Sequence, residues 1–245
     1  MNERPGWDAA PADVDLGRVW TGVAAQVWRR QPGWIERLAG RLLRSPGLAR
    51  ALVTTPSLLL GWVIATVIVL ATGMLATLET GTPFVGLLAP AVAAASIAYA
   101  YGPGIDPAWE LTRSMAVSDR MVLLVRALAV FALNAVLGMA ASAASALAWP
   151  GPAGSGAVAA VTFGWLIPMT AMCALALAAA TLSRSANVGV AAGLGGWVIT
   201  VLSAKVVGPV TAAFTDTSFV LPYLACAVCC GAVVLYATRI PRGTS

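Results

Sequence analysis

The cysteines are the residues of this sequence whose type and spacing come nearest to a chemical motif. Cys226, Cys229 and Cys230 include a C-x-x-C spacing, and Cys173 is the fourth cysteine of the 245-residue chain. Zinc binding and redox chemistry need accessible thiolates, whereas all four cysteines lie in long apolar runs. We therefore expect them to be small packing residues of helices. The sequence contains no histidine, which removes Ser-His-Asp catalysis and histidine-ligated metals from consideration.

Lysine and the carboxylates provide no second catalytic pattern. The only lysine, Lys205, is preceded by alanine, so the chain has no G-x-x-x-x-G-K-[ST] phosphate loop. No pair of acidic residues lies within an apolar run, where proton-coupled transporters and membrane metalloenzymes usually carry one. We therefore expect no enzymatic activity, no bound metal and no cofactor in this chain.

A few polar or small residues inside the apolar runs have alternative roles. Lys205 lies near the end of a run, where its ammonium can reach the membrane surface; the alternatives are a substrate path or an anionic lipid. Asn134 is expected to make a hydrogen bond between helices rather than to bind a ligand. Gly189 and Gly193, with Gly196 near them, allow a second helix to approach closely. We expect this to be packing, with a dimer interface as the alternative.

Six apolar runs of about 20 residues are the elements that must carry these side chains. Hydrophobic residues make up 59% of the chain and charged residues only 10%, against about 25% charged in soluble domains. The sequence therefore predicts an all-α polytopic membrane protein with six transmembrane helices within residues 56–238. Their expected approximate bounds are Ser57–Leu78, Phe84–Tyr101, Met121–Trp149, Ala157–Leu182, Val188–Val207 and Phe219–Thr238, with Pro90 inside the second and Pro168 midway along the fourth.

A polar, charged segment, Gly102–Arg126, separates the second and third runs. Asp106 and Pro107 form a helix-start signal, because aspartate can cap a helix and proline suits its first position. Glu110 places a negative charge near the first turn, where the helix dipole favours it. The apolar contact groups of the segment include Trp109, Leu111 and Met115, and its charged groups include Arg113. The pattern predicts a docking helix at about residues 105–117, on the cytoplasmic side.

The region before the first run predicts a tail followed by surface helices. We expect residues 1–17 to form a flexible cytoplasmic tail and residues 18–55 to form cytoplasmic or interfacial amphipathic helices. In the second of these helices, Trp34 lies on an apolar side and three arginines lie on another: Arg37, Arg41 and Arg44. This arrangement favours a helix along the membrane interface with its arginines toward lipid headgroups. The alternative is a soluble helix that packs on a partner.

The distribution of basic residues predicts the orientation. Fourteen of the fifteen lysines and arginines lie in the N-terminal region, in Gly102–Arg126, in the turn 183–187 or in the tail 239–245. With six spans, these four regions lie on one side of the membrane, which the positive-inside rule makes the cytoplasm. Both termini are therefore expected in the cytoplasm, at a cell membrane. No basic and aromatic module accompanies the charge, so we expect no binding of nucleic acid.

The order of these elements resembles the membrane (permease) subunit of type-2 ATP-binding-cassette (ABC) exporters. That order is an interfacial basic helix, two spans, a cytoplasmic helix, four more spans and an irregular segment before the last. The segment between spans two and three also resembles the form found in compact actinobacterial permeases of this class. Here it contains Asp106-Pro107-Ala108-Trp109-Glu110-Leu111, followed by Ser114, Ser118, Arg120 and Arg126.

The resemblance implies a permease that exports a substrate but does not itself hydrolyse ATP. A separate cytoplasmic ABC ATPase subunit would bind ATP and Mg, and two permease chains, identical or different, would pair with two ATPases. A coupling helix would contact the ATPase through Asp106, Trp109, Glu110, Leu111, Arg113, Ser114 and Met115. Residues 208–218 would correspond to a short re-entrant element. The substrate class stays open between lipid-like, peptide and drug-like molecules. The alternative is a non-transporting membrane sensor or scaffold that regulates a cytoplasmic ATPase or a signalling partner; an integral-membrane enzyme is disfavoured.

Overall fold

The computed structural model describes residues 56–101, 119–148 and 163–238, together with Arg18, Arg37 and Arg41. The chain divides into two compact units, Met1–Arg50 and Ala51–Ser245. In the first unit, the three described arginines are helical and exposed. The second unit contains the helices discussed below.

Seven α-helices and two 3₁₀ turns have described bounds. In chain order they are α1 (Pro56–Thr80), α2 (Phe84–Ala98), a 3₁₀ turn (Tyr99–Tyr101), α3 (Asp119–Ala148), α4 (Leu166–Ser183), α5 (Ala186–Val207), the four-residue α6 (Ala212–Thr215), a second 3₁₀ turn (Thr217–Phe219) and α7 (Val220–Ala237). No strand occurs within the described ranges. The predicted all-α fold class is confirmed for this part of the chain.

Five helical segments in the described ranges are long and apolar enough to cross a membrane. They are Gly61–Thr80, Arg120–Leu147, Leu166–Ser183, Ala186–Val206 and Thr217–Ala237. The helix α2 is also apolar but has only fifteen residues, fewer than any of these five segments. The expectation of several helices long and apolar enough to cross a membrane is thus confirmed, with five such helices in the described ranges.

The connection between α1 and α2 is a tight turn fixed by a threonine. Gly81 has a φ of 74°, a left-handed conformation that glycine adopts without steric cost. Its N–H donates to the Thr77 carbonyl at 2.9 Å and closes the end of α1. Thr77 Oγ1 donates to the Gly73 carbonyl at 2.7 Å and accepts from the Phe84 N–H at 3.0 Å. Since Phe84 N–H is one of the donors that a helix start leaves unpaired, this hydroxyl joins the two helices.

The helices α2 and α4 occupy the centre of the bundle. The helix α2 contacts α1, α3, α4 and α5, and α4 contacts α2, α5 and α7. Alanine is the commonest buried residue on these two helices: Ala89, Ala93, Ala94 and Ala98 on α2, and Ala171, Ala176, Ala178 and Ala180 on α4. Small side chains let helix backbones approach each other closely. The centre therefore includes close contacts between helices, beside larger buried side chains such as Met169.

Two glycines of α5 lie where this helix meets both central helices. A Cβ atom built on Gly189 would lie 2.7 Å from the carbonyl oxygen of Ala176 and 3.0 Å from the Cβ of Ala98. A Cβ built on Gly193 would lie 2.9 Å from the Cβ atoms of both Ala176 and Ala94. The predicted close approach is confirmed, and the helices that cover these two glycines are α2 and α4 of the same chain.

Pro168 lies in the first turn of α4, whereas the sequence analysis placed it midway along the fourth span. Gly164 and Trp165 form a turn, and α4 begins at Leu166. Proline has no N–H, and its ring opposes the carbonyl four residues earlier, which here is that of Gly164. A helix start at this point removes the conflict, because the first N–H groups of a helix have no intrahelical acceptor. The helix then continues with a bond from Met169 N–H to the Trp165 carbonyl at 3.0 Å.

Candidate functional site

The helices bring both ends of the segment 102–118 to one end of the bundle. The start of α4 lies beside Gly138 of α3, since a Cβ there would lie 2.5 Å from the Trp165 ring. The end of α4 lies beside the end of α2, because Ala180 and Ala98 both contact Gly189. The helix α3 also contacts the 3₁₀ turn Tyr99–Tyr101, so it runs antiparallel to α4. The end of α2 and the start of α3 are therefore neighbours.

The two ends of the bundle differ in charge. Arg120 and Arg126 in the first turns of α3 and Arg184 after α4 lie at the end just described, which we call the arginine end. The opposite end carries the turn between α1 and α2, and we call it the hairpin end. Glu79 and Asp216 lie there, and so does Lys205 in the last turn of α5.

Most residues of the predicted coupling and lipid-interface sites lie outside the described residues. These are Asp106, Trp109, Glu110, Leu111, Arg113, Ser114 and Met115 of the coupling helix, and Trp34 and Arg44 of the amphipathic helix. Arg37 and Arg41 are described, and both are helical and exposed. For the predicted coupling helix, the structure gives the positions of the two helices that flank it in the sequence.

Asn134 is buried on the inner face of α3. Its Nδ2 donates to the carbonyl of Val130 at 2.8 Å. This bond is within α3, whereas the sequence analysis expected a bond between helices. Gly138 and Ser142 follow Asn134 at intervals of four residues, and both are buried. The inner face of α3 thus carries small or polar residues from Asn134 to Ser142, where α3 packs against Trp165.

Lys205 does not point into the bundle. Its side chain is exposed in the last turn of α5, where a positive charge is favoured by the partial negative charge of the helix C-terminus. Val206 beside it is 88% exposed. The residue therefore belongs to the outer surface of the hairpin end, which agrees better with an interfacial ammonium than with a path through the chain.

Residues Gly208–Phe219, which we call the return segment, fold back onto the bundle between α5 and α7. Its short helix α6 contacts α5 and α4. Tyr223 of α7 is buried, and its hydroxyl donates to the Ala213 carbonyl at 2.6 Å. The Asp216 carboxylate accepts from the Ser218 N–H at 2.8 Å, and this bond lowers the pKa of Asp216. These bonds hold the segment as a folded cap on the hairpin end.

Phe214 attaches the return segment to α2. Its ring is buried, and a Cβ atom on Gly86 would lie 3.0 Å from its Cζ and 3.1 Å from its Cε2. The ring can take this position because Gly86 has no side chain. The sequence analysis anticipated an irregular segment here but not this contact, since nothing in the local pattern links residue 214 to residue 86.

A proline interrupts the hydrogen bonding of α2 next to this contact. Pro90 is fully buried within α2 and has no N–H to donate to the carbonyl of Gly86. We call residues Gly86–Pro90 the proline turn. In the same turn, the carbonyl of Leu87 accepts a 2.8 Å hydrogen bond from Nε1 of Trp197 on α5. A buried tryptophan usually finds an acceptor, and a proline inside a span weakens a backbone turn, but neither signal in the sequence links Trp197 to Leu87.

Among the residues that the structure describes, two buried polar side-chain atoms have no hydrogen-bond partner. Trp165 Nε1 and Thr66 Oγ1 are buried and make no hydrogen bond. Trp165 is fully buried against Gly138, so its large ring contributes packing between α3 and α4 at the cost of an unpaired donor. Both groups were missed by the sequence analysis because burial within an apolar run cannot be read from residue type.

The thiols form no catalytic or metal-binding arrangement within the described part of the chain. All four cysteines are free, and Cys226 Sγ lies 4.0 Å from Cys230 Sγ one turn along α7. No group of three or more cysteine, aspartate, glutamate or histidine side chains that could hold a metal ion occurs among the described residues. What the described geometry offers is close helix packing, a folded cap and a helix turn interrupted by a proline.

No protein-family model, curated protein or solved structure matches this chain.

Proposed function

We propose that this chain is the permease subunit of a type-2 ABC exporter and that a separate cytoplasmic ATPase drives it. The observation that carries the proposal is that the end of α2 with its following 3₁₀ turn and the start of α3, the two elements that flank residues 102–118 in the sequence, are neighbours at the arginine end of the bundle. A permease without a nucleotide-binding motif must receive its energy through such a surface element. Within it, Trp109 and Glu110 are the proposed contacts with the ATPase.

The proposed permease has six spans, with α2 as the second. Fifteen residues of α-helix rise about 22 Å, and three residues of 3₁₀ helix add about 6 Å. The sum is close to the hydrocarbon thickness of about 30 Å. The position of α2 among four other helices supports this assignment, because a helix so enclosed must run alongside its spanning neighbours.

The charges of the two ends support the proposed orientation. Arg120, Arg126 and Arg184 share the arginine end, and the positive-inside rule assigns such an end to the cytoplasm. Glu79 and Asp216 then lie on the outer side. The N-terminal helices with Trp34, Arg37, Arg41 and Arg44 are proposed to lie on the inner membrane surface and contact lipid headgroups.

The proposed path for the substrate lies between two copies of the permease, or between this chain and a related one. Packed apolar side chains fill the described centre of the bundle, which leaves the surfaces of the chain as the better location for a path. Closure of the ATPase pair would bring the two coupling helices together and shift the spans as rigid bodies. Apolar outer faces such as that of α7 are compatible with lipid-like, peptide or drug-like cargo.

Co-purification tests this proposal. The tagged chain is extracted in detergent from its native host, and the bound proteins are identified and assayed for ATP hydrolysis. We expect a Walker-type ATPase in the complex and its loss in Trp109→Ala and in Glu110→Ala. Glu79→Ala is the matched control, because it removes an exposed carboxylate at the opposite end and should leave the complex intact.

The opposite results would support the alternative function. A chain that purifies alone, or with a regulator that has no ATPase activity, contradicts the permease proposal and favours a membrane sensor or scaffold. Retention of the ATPase by both Trp109→Ala and Glu110→Ala would contradict the coupling-helix assignment alone.

A further inference from the structure

The proline turn of α2 lies between two regions to which the proposed exporter function gives different roles. On one side α2 leads to the turn between α1 and α2 at the hairpin end. On the other it leads through Tyr99–Tyr101 into residues 102–118. The helix continues without a break through Pro90, although the carbonyl of Gly86 has no intrahelical donor there. Bends in helices concentrate at prolines, so this turn is the most deformable part of α2.

Two side chains from other elements contact this turn. From α5, Trp197 Nε1 donates to the Leu87 carbonyl at 2.8 Å. From the return segment, the ring of Phe214 lies on Gly86, with no more than about a methyl group of space between them. Neighbouring side chains are the usual means by which membrane helices tolerate proline. Here the two contacts come from different elements, and one of those elements is a short cap of twelve residues, Gly208–Phe219.

We propose that the proline turn is a hinge of α2 whose angle is set jointly by Trp197 and Phe214. Movement of the return segment then changes the direction of the second half of α2, and hence the position of the turn Tyr99–Tyr101, which leads to residue 102. The link to transport rests on the proposed function. The mechanical statement, that the contacts at Leu87 and Gly86 set the position of the far end of α2, stands on the geometry of the chain alone.

The part of α2 beyond Pro90 is long enough for a change of angle at the proline turn to produce a measurable displacement. Tyr99 lies nine residues beyond Pro90, which corresponds to about 14 Å along a helix axis. A change of about 10° at the proline turn therefore moves the position of Tyr99 by about 2 Å at that helical rise. Such a displacement is within the range of distances between pairs of spin labels.

The test measures one distance that the hinge should change and one that it should not. Spin labels are attached to the full-length chain in lipid nanodiscs, in a background where the four native cysteines are replaced by alanine. The reporting pair is Tyr99→Cys with Tyr236→Cys, two exposed positions at the arginine end, in the 3₁₀ turn that follows α2 and on α7. The reference pair is Leu182→Cys with Tyr236→Cys, on α4 and α7, which pack on each other.

Two variants loosen the hinge, and each has a matched control. Trp197→Phe removes the donor to Leu87, and Thr200→Val removes a hydroxyl that donates only within α5, to the Gly196 carbonyl. Phe214→Ala removes the ring on Gly86, and Phe219→Ala removes a ring of the same segment that pairs instead with Tyr223, at 6.2 Å between centroids. We expect both loosening variants to shift or broaden the reporting distance by about 2 Å. The controls should leave it unchanged, and the reference distance should stay constant throughout.

A proline substitution separates a hinge from general loosening. Pro90→Ala restores the missing backbone donor and should stiffen α2. In the double variant Pro90→Ala with Phe214→Ala, the reporting distance should therefore match that of Pro90→Ala alone. An equal shift with and without the proline would overturn the hinge, as would unchanged distances in both Trp197→Phe and Phe214→Ala while the reference pair keeps its normal distance. If Phe214→Ala does not fold, Trp197→Phe decides the result.

The outcome is independent of the proposed function because no ATPase is present in the nanodiscs. If the reporting distance shifts in the loosening variants but the chain captures no ATPase, the hinge is supported and the exporter function is contradicted. If the chain captures an ATPase but the reporting distance does not shift in any variant, the exporter function is supported and the hinge is contradicted.

Discussion

The helices α4 and α7 are almost equally apolar, yet they bury very different shares of their surface. The helix α4 lies between α2, α5 and α7, and four alanines lie on its buried face beside larger residues such as Met169. The helix α7 packs on α4 along one side and exposes large side chains such as Leu221 and Val228 on the other. Apolar character therefore does not decide position in this molecule.

This difference agrees with the physics of helix association in a lipid environment. Burying a leucine gains little when the surrounding lipid is as apolar as the interior, so close backbone contact becomes the main source of stability. In water the large apolar residues would occupy the centre. The predictions that follow compare matched positions at the centre and at the surface, in order of decreasing effect.

The largest effect is expected from a side chain placed at the junction of α2, α4 and α5. Gly189→Val puts its Cβ 2.7 Å from a backbone oxygen that cannot move aside, and overpacking of this kind costs about 3 kcal/mol. Gly195→Val, on the same helix, meets no atom within 4 Å and should be neutral or slightly stabilising, since valine is a better helix former than glycine. Thermal unfolding of the purified proteins in detergent measures both. Equal melting temperatures would contradict the assigned packing.

An intermediate effect is expected where a buried hydroxyl holds the return segment. Tyr223→Phe removes the 2.6 Å bond to the Ala213 carbonyl, and the loss of such a bond costs about 1 kcal/mol. The control is Tyr236→Phe on the same helix, because Tyr236 is 69% exposed and the change should have no measurable effect. Hydrogen exchange of residues 208–219 gives a second readout. It should accelerate in Tyr223→Phe only, and unchanged exchange would show that this bond does not hold the segment.

The smallest effect is expected from the exposed carboxylate of the same segment. The bond from Ser218 N–H lowers the pKa of Asp216, so the folded segment favours the ionised form. Its contribution is complete above the ordinary aspartate pKa of about 3.9 and disappears as the pH falls through the lowered value. Protection of the Ser218 amide, corrected for the intrinsic exchange rate at each pH, should therefore decrease in that acidic range. In Asp216→Ala the protection should be low at every pH, and a persistent acid-dependent change there would assign the titration to another group.

Helix type and approximate bounds were predictable because long apolar runs with polar breaks leave few alternatives in a bilayer. The glycines of α5 were also predicted correctly as points of close approach, since glycine at intervals of four serves this purpose in membrane helices. The position of Pro168 was not, because the sequence shows a proline inside an apolar run but not where the helix begins. The structure places that start two residues before the proline.

The contacts around the proline turn depend on tertiary structure and could not be derived from local pattern. Phe214 and Gly86 are far apart in the sequence, and only the folding back of the return segment brings them together. The same holds for Trp197 and Leu87, which are 110 residues apart. Asn134 is the opposite case, because a bond between helices was predicted and the side chain instead donates within its own helix. A polar residue inside a span does not necessarily reach a neighbouring helix.

Site-specific photo-crosslinking tests the central proposal most directly. A benzophenone amino acid is placed at Trp109, between α2 and α3 in the sequence, and in a second protein at Phe163, an exposed residue near the start of α4 at the hairpin end. After irradiation of native membranes, we expect a crosslink from position 109 to an ATP-binding chain and none to that chain from position 163. Crosslinks to the same ATPase from both positions, or from neither, would contradict the assignment of residues 102–118 as the coupling element.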